Sequence, residues 1–490
     1  NRESRMRTSM KHGAGAAFML CAWTIASPVR AQTAHPLPDS TSAAIDHLFV
    51  SMAHPGSPGC AVGVYENAEV VYDRGFGSAD LINDVPITES TRFTVGSVSK
   101  QFTAASIALL VQAGRVSLSD DVRKYIPELQ TYPTPVTIAN LVHHTSGVRD
   151  FWELVDLAGM RPDDGYTSED MLNLARRQKG LNFTPGSEYR YSNTGYLLLA
   201  EVVKRVSGQS LRRFADSAIF KPLGMTSTLF LDDHNEIVPR RASAYQPAGS
   251  GYRIDVWNND IVGQGGLVTT IGDLQKWDEN FYSARTGGPE FIKLLQTTDP
   301  LTDGKPNNYA FGLVVDTYRG MHEVQHTGST GGYRAAIFRY PDAHTTVAML
   351  CNVSTANTTS LAHAMADVVL GSRLGNRQVV ARTSRRDSLA AVHPASPALT
   401  KAVAGHYRSD ELLGSVWEIT ASAAGTITVT RPRHEPELFG WTTGSTFALR
   451  GVELSFDALA KGRAPGFTLK GARVQGLHFE RIPDARAGDR

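Results

Sequence analysis

The order of strand and helix patterns along the chain constrains its fold more than any other feature. Residues 58–77 read as two β-strands joined at a polar turn, which predicts a hairpin. Helical patterns dominate from about 115 to 285, and strand patterns return at 310–317 and 333–353. Strands on both sides of a helical region predict one sheet built from both ends of a domain, with the helices packed against it.

A second region follows at the C-terminal end. Residues 373–398 are polar and rich in arginine, which is typical of a linker. Short strand patterns separated by turns fill residues 399–490 and predict a small antiparallel sheet or barrel. We therefore expect a mixed α/β (α+β type) domain over residues 32–372, a linker and a C-terminal β-domain.

The N-terminal segment has the pattern of a secretory signal peptide. Arg7 and Lys11 precede the short apolar run AGAAFMLCAWTIA, and the small residues Val29 and Ala31 follow it. This run is too short to span a bilayer comfortably. We predict a cleaved signal peptide over residues 1–31 and an exported protein, periplasmic or secreted, with no stable membrane span after cleavage.

Two cysteines remain in the exported chain, Cys60 and Cys351, and both lie in strand-like runs. Buried free thiols are the expected state for cysteines in such runs. A disulfide is permitted in an oxidising compartment, but the sequence does not pair the two residues.

Ser97 and Lys100 stand three residues apart at the start of an apolar run. Side chains at this spacing share one face of a helix, so the ammonium group can reach the hydroxyl. A helix N-terminus also favours developing negative charge. Lysine acts as a base near neutrality only when it is desolvated, which an apolar helix face provides. The alternative is that Ser97 merely caps the helix.

A second polar group lies at Tyr191 and Asn193, in a turn-rich loop directly before a helical pattern. A tyrosine beside an ammonium group can donate or take a proton, and an asparagine can hold both a substrate carbonyl and the lysine. The same Tyr-x-Asn pattern at residues 65–67 falls in the predicted hairpin turn, so position decides between them.

A third group, His326, Thr327, Gly328 and Ser329, precedes a strand pattern. A glycine in this place lets a ligand approach the backbone closely. The backbone N–H of Ser329 could pair with that of Ser97 to form an oxyanion hole. His326 adds a hydrogen-bond donor or a titratable proton, and a structural role is its alternative.

Together the three groups resemble the serine β-lactamase and penicillin-binding superfamily, most closely its class C branch. That branch includes D-alanyl-D-alanine carboxypeptidases, D-aminopeptidases and related esterases. The resemblance covers about residues 42–372 and extends to PGCAVGV, LVHHTSGV, PLGMTSTLF and GQGGLVTTIGDL. It implies a class C β-lactamase-like sheet flanked by helices, with a mainly helical subdomain and the site between them.

The resemblance also implies acyl transfer through an acyl-enzyme, without metal or cofactor. Ser97 would be the nucleophile, and Lys100 and Tyr191 would handle its proton. Asn193 would bind the substrate amide. The pocket and its oxyanion hole would be formed by four further residues, His326, Thr327, Gly328 and Ser329, together with the N–H of Ser97.

One departure from the family pattern bears on the substrate. Class C β-lactamases typically place a lysine where this chain has His326, whereas histidine is common in the peptidase and D-amino-acid branches. We therefore expect an exported serine hydrolase of amide or ester bonds, acting on D-amino-acid peptides in the carboxypeptidase or aminopeptidase manner. Alternatives are an esterase, a weak class C β-lactamase, or a catalytically silent binding protein on this fold.

Other functional classes have little support. The formal net charge of +1 provides no general field for nucleic acid, so the expected partner is a small-molecule or peptide substrate. His322 and His326 lack acidic or cysteine company at ligand spacing, and His143-His144 resembles the family's HTSG loop, so no metal is predicted. Nothing in the sequence indicates an oligomeric state.

Overall fold

The structure is a computed structural model that describes residues 36–54, 56–161, 164–376, 393–422 and 424–483. The predicted signal peptide over residues 1–31 and most of the predicted linker lie outside the described residues. Within the described part of the chain, no helix combines the length and the apolar character needed to cross a membrane.

The main sheet has six antiparallel strands and joins the two ends of the domain. Its strands, in spatial order, are Val314–Tyr318, Met321–Thr330, Tyr333–Tyr340, Thr345–Cys351, Cys60–Glu66 and Glu69–Phe76. Thr345–Cys351 and Cys60–Glu66 pair at its centre, which confirms the predicted sheet built from both ends.

Helices cover both faces of this sheet. Asp39–Leu48 and Thr358–Leu370 pack on one face, and Ile271–Ser283 packs on the other. The central strands are therefore buried at nearly every position. This explains why their sequences are continuous apolar runs without the alternation of a half-exposed strand.

The helical region lies beside the sheet. Its α-helices are Lys100–Gln112, Ile138–Val142, Phe151–Leu157, Ser168–Arg176, Asn193–Ser207, Leu211–Ala215, Lys221–Leu223 and Gly288–Leu295. Short strands connect them: Ser78–Asp80, Val85–Pro86, Phe93–Thr94, Tyr166–Thr167, Leu229–Phe230, Tyr245–Ala248, Gly251–Ile254, Asn259–Asp260 and Leu267–Thr269. Lys100–Gln112 and Asn193–Ser207 pack against each other, and both are mostly buried. Lys100 and Asn193, two of the predicted site residues, are the first residues of these two helices.

Cys60 and Cys351 form a disulfide, so the prediction of free thiols is wrong. The two residues lie directly opposite each other in the paired central strands, with their Cα atoms 4.0 Å apart. This register depends on how the two ends of the domain come together, which neither cysteine's local sequence reveals.

The C-terminal region forms a closed antiparallel barrel preceded by the helix Pro397–Val403. Its eight strands are Gly405–Ser409, Ser415–Ala421, Ile427–Thr430, Glu437–Thr443, Thr446–Leu449, Val452–Phe456, Gly466–Lys470 and Gln475–Ile482. Trp417, Phe467 and Phe479 fill its interior, and closure leaves no strand edge unpaired. The predicted C-terminal β-domain is confirmed as a barrel.

The barrel packs on the helical region close to the predicted site. Arg149 forms a 2.7 Å ion pair with Glu411, and both side chains are almost fully buried. The same guanidinium donates to the backbone carbonyls of Gln475 and Gly476. The indole N–H of Trp417 donates to the carbonyl of Leu157. Buried polar contacts therefore fix the barrel against the segment that begins at Arg149.

Candidate active site

Ser97 lies in a single 3₁₀ turn, Gly96–Ser99, and the helix Lys100–Gln112 follows directly. The residues that precede the turn and the helix are Val95 and Ser99, and neither makes a side-chain capping bond. Ser97 therefore does not cap the helix. Its partly exposed side chain lines a cleft of about 700 Å³ between the main sheet, the helical region and the barrel.

Lys100 is completely buried, and its Nζ contacts three oxygen atoms. These are Oγ of Ser97 at 3.1 Å, Oδ1 of Asn193 at 2.9 Å and the carbonyl oxygen of Gln264 at 2.6 Å. The last two can only accept hydrogen bonds. A neutral amine would satisfy both with its two N–H bonds and would turn its lone pair toward the Ser97 hydroxyl.

Burial favours that neutral amine. It holds the pKa of Lys100 well below its usual value, because the ammonium form loses its hydration. The carboxylate of Asp150 acts in the opposite direction and raises this pKa, while the guanidinium of Arg473 lowers it further. Lys100 thus has both the position and the electrostatic environment of a base for Ser97.

Tyr191 lies in the loop directly before the helix Asn193–Ser207, and the centre of its ring is 4.8 Å from Nζ of Lys100. Burial raises the pKa of Tyr191 above its usual value, and a hydrogen bond with the Ser97 hydroxyl partly offsets that rise. The phenol therefore keeps its proton at neutral pH and can donate it beside Ser97.

Asn193 is held by Asp150, a residue that the sequence analysis did not single out. The backbone N–H and Nδ2 of Asn193 both donate to Oδ2 of Asp150, at 2.7 Å and 2.8 Å. The other carboxylate oxygen accepts from the N–H of Trp152 and caps the helix Phe151–Leu157. An aspartate directly before the apolar run FWELV is a recognisable capping signal. The contact of Asp150 with Asn193 has no such signal in the sequence.

His326 lies within the strand Met321–Thr330, which precedes the strand Tyr333–Tyr340. Its Nδ1 is 2.5 Å from the carbonyl oxygen of Thr327 and must donate to it. Nε2 then accepts from the hydroxyl of Tyr309 at 2.9 Å. Burial and the nearby charge of Lys100 lower the pKa of His326 to about 4. His326 is therefore uncharged at neutral pH.

Two glycines bring the turn at Ser97 and the strand containing Ser329 into backbone contact. A Cβ at Gly328 would overlap the carbonyl oxygen of Val95, and one at Gly96 would lie 2.6 Å from the Ser329 nitrogen. Gly328 is therefore needed for the contact between the turn and the strand. Gly328 also lines the cleft, and its role in ligand binding stays a prediction. Ser97 and Ser329 both line the cleft at this contact, as does Thr327.

The rest of the cleft wall is aromatic and basic. The rings of Trp152 and Trp257 lie 5.0 Å apart and both line the cleft. Three arginines, Arg241, Arg334 and Arg473, also line it, and Arg473 belongs to the barrel. No local sequence pattern marked these residues as neighbours of Ser97.

Three of the histidines considered as metal ligands, His143, His144 and His326, each have a ring nitrogen, Nδ1, in contact with a backbone group. In the described residues, Asp233, His234 and Asp260 place three potential ligand atoms within 4.8 Å of one another. Within this group, Nδ1 of His234 and Oδ1 of Asp260 already contact each other at 2.8 Å.

Comparison with known proteins places this geometry in a family. The family model described as Beta-lactamase matches residues 45–370. The chain is 29% identical over 327 residues to the D-aminopeptidase of Cereibacter sphaeroides, a match that covers 65% of this chain and 60% of that protein. It is also 29% identical to the D-aminopeptidase of Gluconobacter oxydans, with 61% and 56% covered. The match thus spans less than two thirds of these relatives' length.

Solved structures share the fold. The octameric penicillin-binding protein homologue from Pyrococcus abyssi superposes with a TM-score of 0.60 at 23% identity, covering 90% of this chain and 99% of that one. D-amino acid amidase from Ochrobactrum anthropi SV3 gives 0.56 at 21% identity, covering 68% and 99%. The predicted fold class is confirmed. Because the family match extends over more than half of its residues, the chain belongs to the beta-lactamase family.

Proposed function

We propose that this protein is a serine hydrolase that cleaves amide bonds of D-amino-acid peptides and amides through an acyl-enzyme on Ser97. The observation that carries the proposal is the geometry of Lys100. Two carbonyl oxygens take up its N–H bonds, and its remaining direction faces Oγ of Ser97. The preference for D-amino acids is supported by the similarity to D-aminopeptidases and to the fold of a D-amino acid amidase.

In the first half of the reaction, Oγ of Ser97 attacks the carbonyl carbon and passes its proton to the amine of Lys100. The backbone N–H groups of Ser97 and Ser329 stabilise the negative charge on the carbonyl oxygen. Tyr191 donates its proton to the leaving nitrogen, the C–N bond breaks, and the amine departs. The proton on Lys100 then restores the phenol of Tyr191.

In the second half, a water molecule adds to the ester carbonyl and transfers one proton to the amine of Lys100. The bond between Oγ of Ser97 and the acyl carbon breaks, Ser97 recovers its proton, and the acid leaves. Asn193 would bind the substrate amide through this cycle, and Asp150 acts as a positioning residue for Asn193. His326 would line the pocket without adding charge.

We further propose that the protein is exported. The pattern of residues 1–31 is that of a cleaved signal peptide. The disulfide between Cys60 and Cys351 supports an oxidising compartment, because such bonds are rare where thiols are kept reduced. N-terminal sequencing of the protein processed by a bacterial host should begin at Gln32, and a chain that retains residues 1–31 would contradict export.

A comparison of enantiomers tests the hydrolase proposal. The protein is incubated with an N-acetyl-D-amino acid amide and its L-enantiomer, and the released ammonia is measured. We expect turnover of the D-enantiomer, and its loss by about 10⁴-fold or more in Ser97→Ala. Ser106→Ala is the matched control, since this buried serine follows Ser97 on the adjoining helix and, among the described residues, its hydroxyl bonds only to the carbonyl of Phe102. Equal turnover of both enantiomers, or full activity in Ser97→Ala, would contradict the proposal.

A further inference from the structure

Arg473 brings the barrel into the cleft. It lies in the turn between the barrel strands Gly466–Lys470 and Gln475–Ile482, and its side chain lines the same cleft as Ser97. Its guanidinium carbon lies 5.2 Å from the centre of the Tyr191 ring. The barrel is therefore part of the wall around the proposed nucleophile.

The backbone of this turn is fixed by the helical region. The N–H of Arg473 donates to Oε2 of Glu153 at 2.6 Å. The carbonyl oxygen of Arg473 accepts from the N–H of Asp150 at 3.3 Å and from Nδ2 of Asn182 at 2.8 Å. Three contacts thus hold the residue in place, so its side chain is presented to the cleft from a rigid base.

The guanidinium of Arg473 has donors to spare. Among the described residues its side chain donates no hydrogen bond, and its nearest carboxylate, that of Asp150, is 3.9 Å away. That carboxylate already accepts from Asn193 and Trp152. The side chain of Arg473 is 46% exposed.

The cleft as a whole is basic. Arg241, Arg334 and Arg473 line it, and no aspartate or glutamate lies among the described lining residues. In the described part of the chain, neither Arg241 nor Arg334 forms an ion pair with a carboxylate. Asp255 partly offsets the charge of Arg334 from outside the lining. Such a cleft attracts a carboxylate and repels a free ammonium group.

We propose that Arg473 is a specificity-determining residue that binds the free carboxylate of the departing amino acid. It lies beside Tyr191, the group that donates a proton to the leaving amine in the proposed mechanism, so the carboxylate next to that amine falls within its reach. This inference rests on the proposed function and favours the carboxypeptidase mode over the aminopeptidase mode. The enzyme removes a C-terminal residue, and it does not select substrates by a free amino terminus.

A guanidinium group suits this task because its planar fork matches a carboxylate with two parallel hydrogen bonds. A carboxamide of the same shape forms weaker, uncharged bonds. Loss of a hydrogen bond to a charged group corresponds to a difference of about 10- to 100-fold in kcat/KM between the acid and the carboxamide.

The test compares N-acetyl-D-alanyl-D-alanine with its C-terminal carboxamide, scored by release of D-alanine or D-alaninamide. We expect kcat/KM to favour the acid by about 10- to 100-fold. Arg473→Gln should bring the ratio close to one by raising KM for the acid, and Arg473→Lys should retain part of the preference. Arg408→Gln, which changes an exposed barrel arginine paired with Asp410, is the matched control and should keep the wild-type ratio.

The outcomes separate this inference from the proposed function. If Arg473→Gln leaves the ratio of kcat/KM for the acid to kcat/KM for the carboxamide unchanged, the inference is overturned. This includes the case in which both substrates react more slowly by the same factor, because Arg473 would then only support the barrel. A wild-type ratio near one overturns it as well. If a neutral N-acyl-D-alanine ester acylates Ser97 in that case, the proposed function stands. If neither the ester nor the two peptides react, both fail.

Discussion

Asp150 binds Asn193 through two hydrogen bonds to a single carboxylate oxygen, from the backbone N–H at 2.7 Å and from Nδ2 at 2.8 Å. The carboxylate is almost completely buried. Because Nδ2 of Asn193 is committed to Asp150, Oδ1 must face Lys100, which donates to it at 2.9 Å. A helix-capping aspartate thereby orients the amide that in turn orients the proposed base.

Asp150→Asn tests this chain of contacts. The substitution weakens the hold on Asn193, so kcat/KM should fall by about 10- to 100-fold, the cost of a lost hydrogen bond to a charged group. It also removes a negative charge that raises the pKa of Lys100. The neutral amine then persists to lower pH, and the acid limb of the kcat/KM profile should shift to lower pH.

Asp273→Asn is the control for this change. Asp273 is also buried near the start of a helix and accepts from Ser227 and Thr228, and it does not line the cleft. It should lower stability without moving the pH profile. An acid limb that stays in place, or moves to higher pH, in Asp150→Asn would contradict the electrostatic role of Asp150.

Gly328→Ala tests the contact between the turn and the strand. The added Cβ overlaps the carbonyl oxygen of Val95, so the strand must move away from the turn. If the N–H groups of Ser97 and Ser329 form one oxyanion hole, acylation should slow by about 10²- to 10³-fold. Gly272→Ala is the control, because a Cβ there meets no atom within 4 Å. An unaltered acylation rate in folded Gly328→Ala would contradict this reading of the site.

His326→Gln tests whether His326 is neutral. Its pKa is about 4 in the folded protein, against an ordinary value of 6.5, so the unfolded chain takes up a proton first as the pH falls. The contribution to stability is complete above pH 6.5 and is lost on the way down to pH 4. The wild type should lose about 3 kcal/mol more free energy of unfolding between pH 7 and pH 4 than His326→Gln does.

Urea unfolding at several pH values measures this difference. His47→Gln, at an exposed histidine of the first helix, should follow the wild-type pH dependence. A His326→Gln curve parallel to that of the wild type would show that the histidine is not held neutral by its surroundings.

Arg149→Met tests the attachment of the barrel. It leaves the buried carboxylate of Glu411 without its ion-pair partner, which typically costs about 3–5 kcal/mol of stability. The exposed pair of Arg408 and Asp410 provides the comparison, and Arg408→Gln should cost less than about 1 kcal/mol. Similar losses in the two variants, measured by urea unfolding, would mean that the buried pair does not hold the barrel.

Local patterns were sufficient to predict one main sheet built from strands at both ends of the domain, because most of its strands carry their own hydrophobic pattern. They did not give the spatial order of the strands or the strand Met321–Thr330. Local patterns also predicted the C-terminal strands. The disulfide between Cys60 and Cys351 was missed, since it depends on the register of two strands that lie 291 residues apart in the chain. Register is a property of the assembled sheet and leaves no mark beside either cysteine.

The site residues likewise divide into those that short local motifs predict and those that depend on long-range contacts. Ser97, Lys100, Tyr191 and Asn193 belong to short motifs at helix starts, and the structure brings them together with His326. Residues that act through long-range contacts, namely Asp150, Gln264, Tyr309 and Arg473, were not predicted. Gln264 contributes only a backbone carbonyl, and Arg473 reaches the cleft only because the barrel docks beside it. The catalytic roles of the motif residues stay predictions until acylation is measured.

Intact-mass analysis after acid quenching tests the central claim most directly. The protein is incubated with an N-acyl-D-alanine ester, and peptide mapping locates any added acyl group. We predict one acyl group on Ser97 in the wild type and in Ser106→Ala, much slower acylation in Lys100→Ala, and none in Ser97→Ala. An acyl group on another residue, or full acylation of Ser97→Ala, would contradict the assignment of Ser97 as the nucleophile.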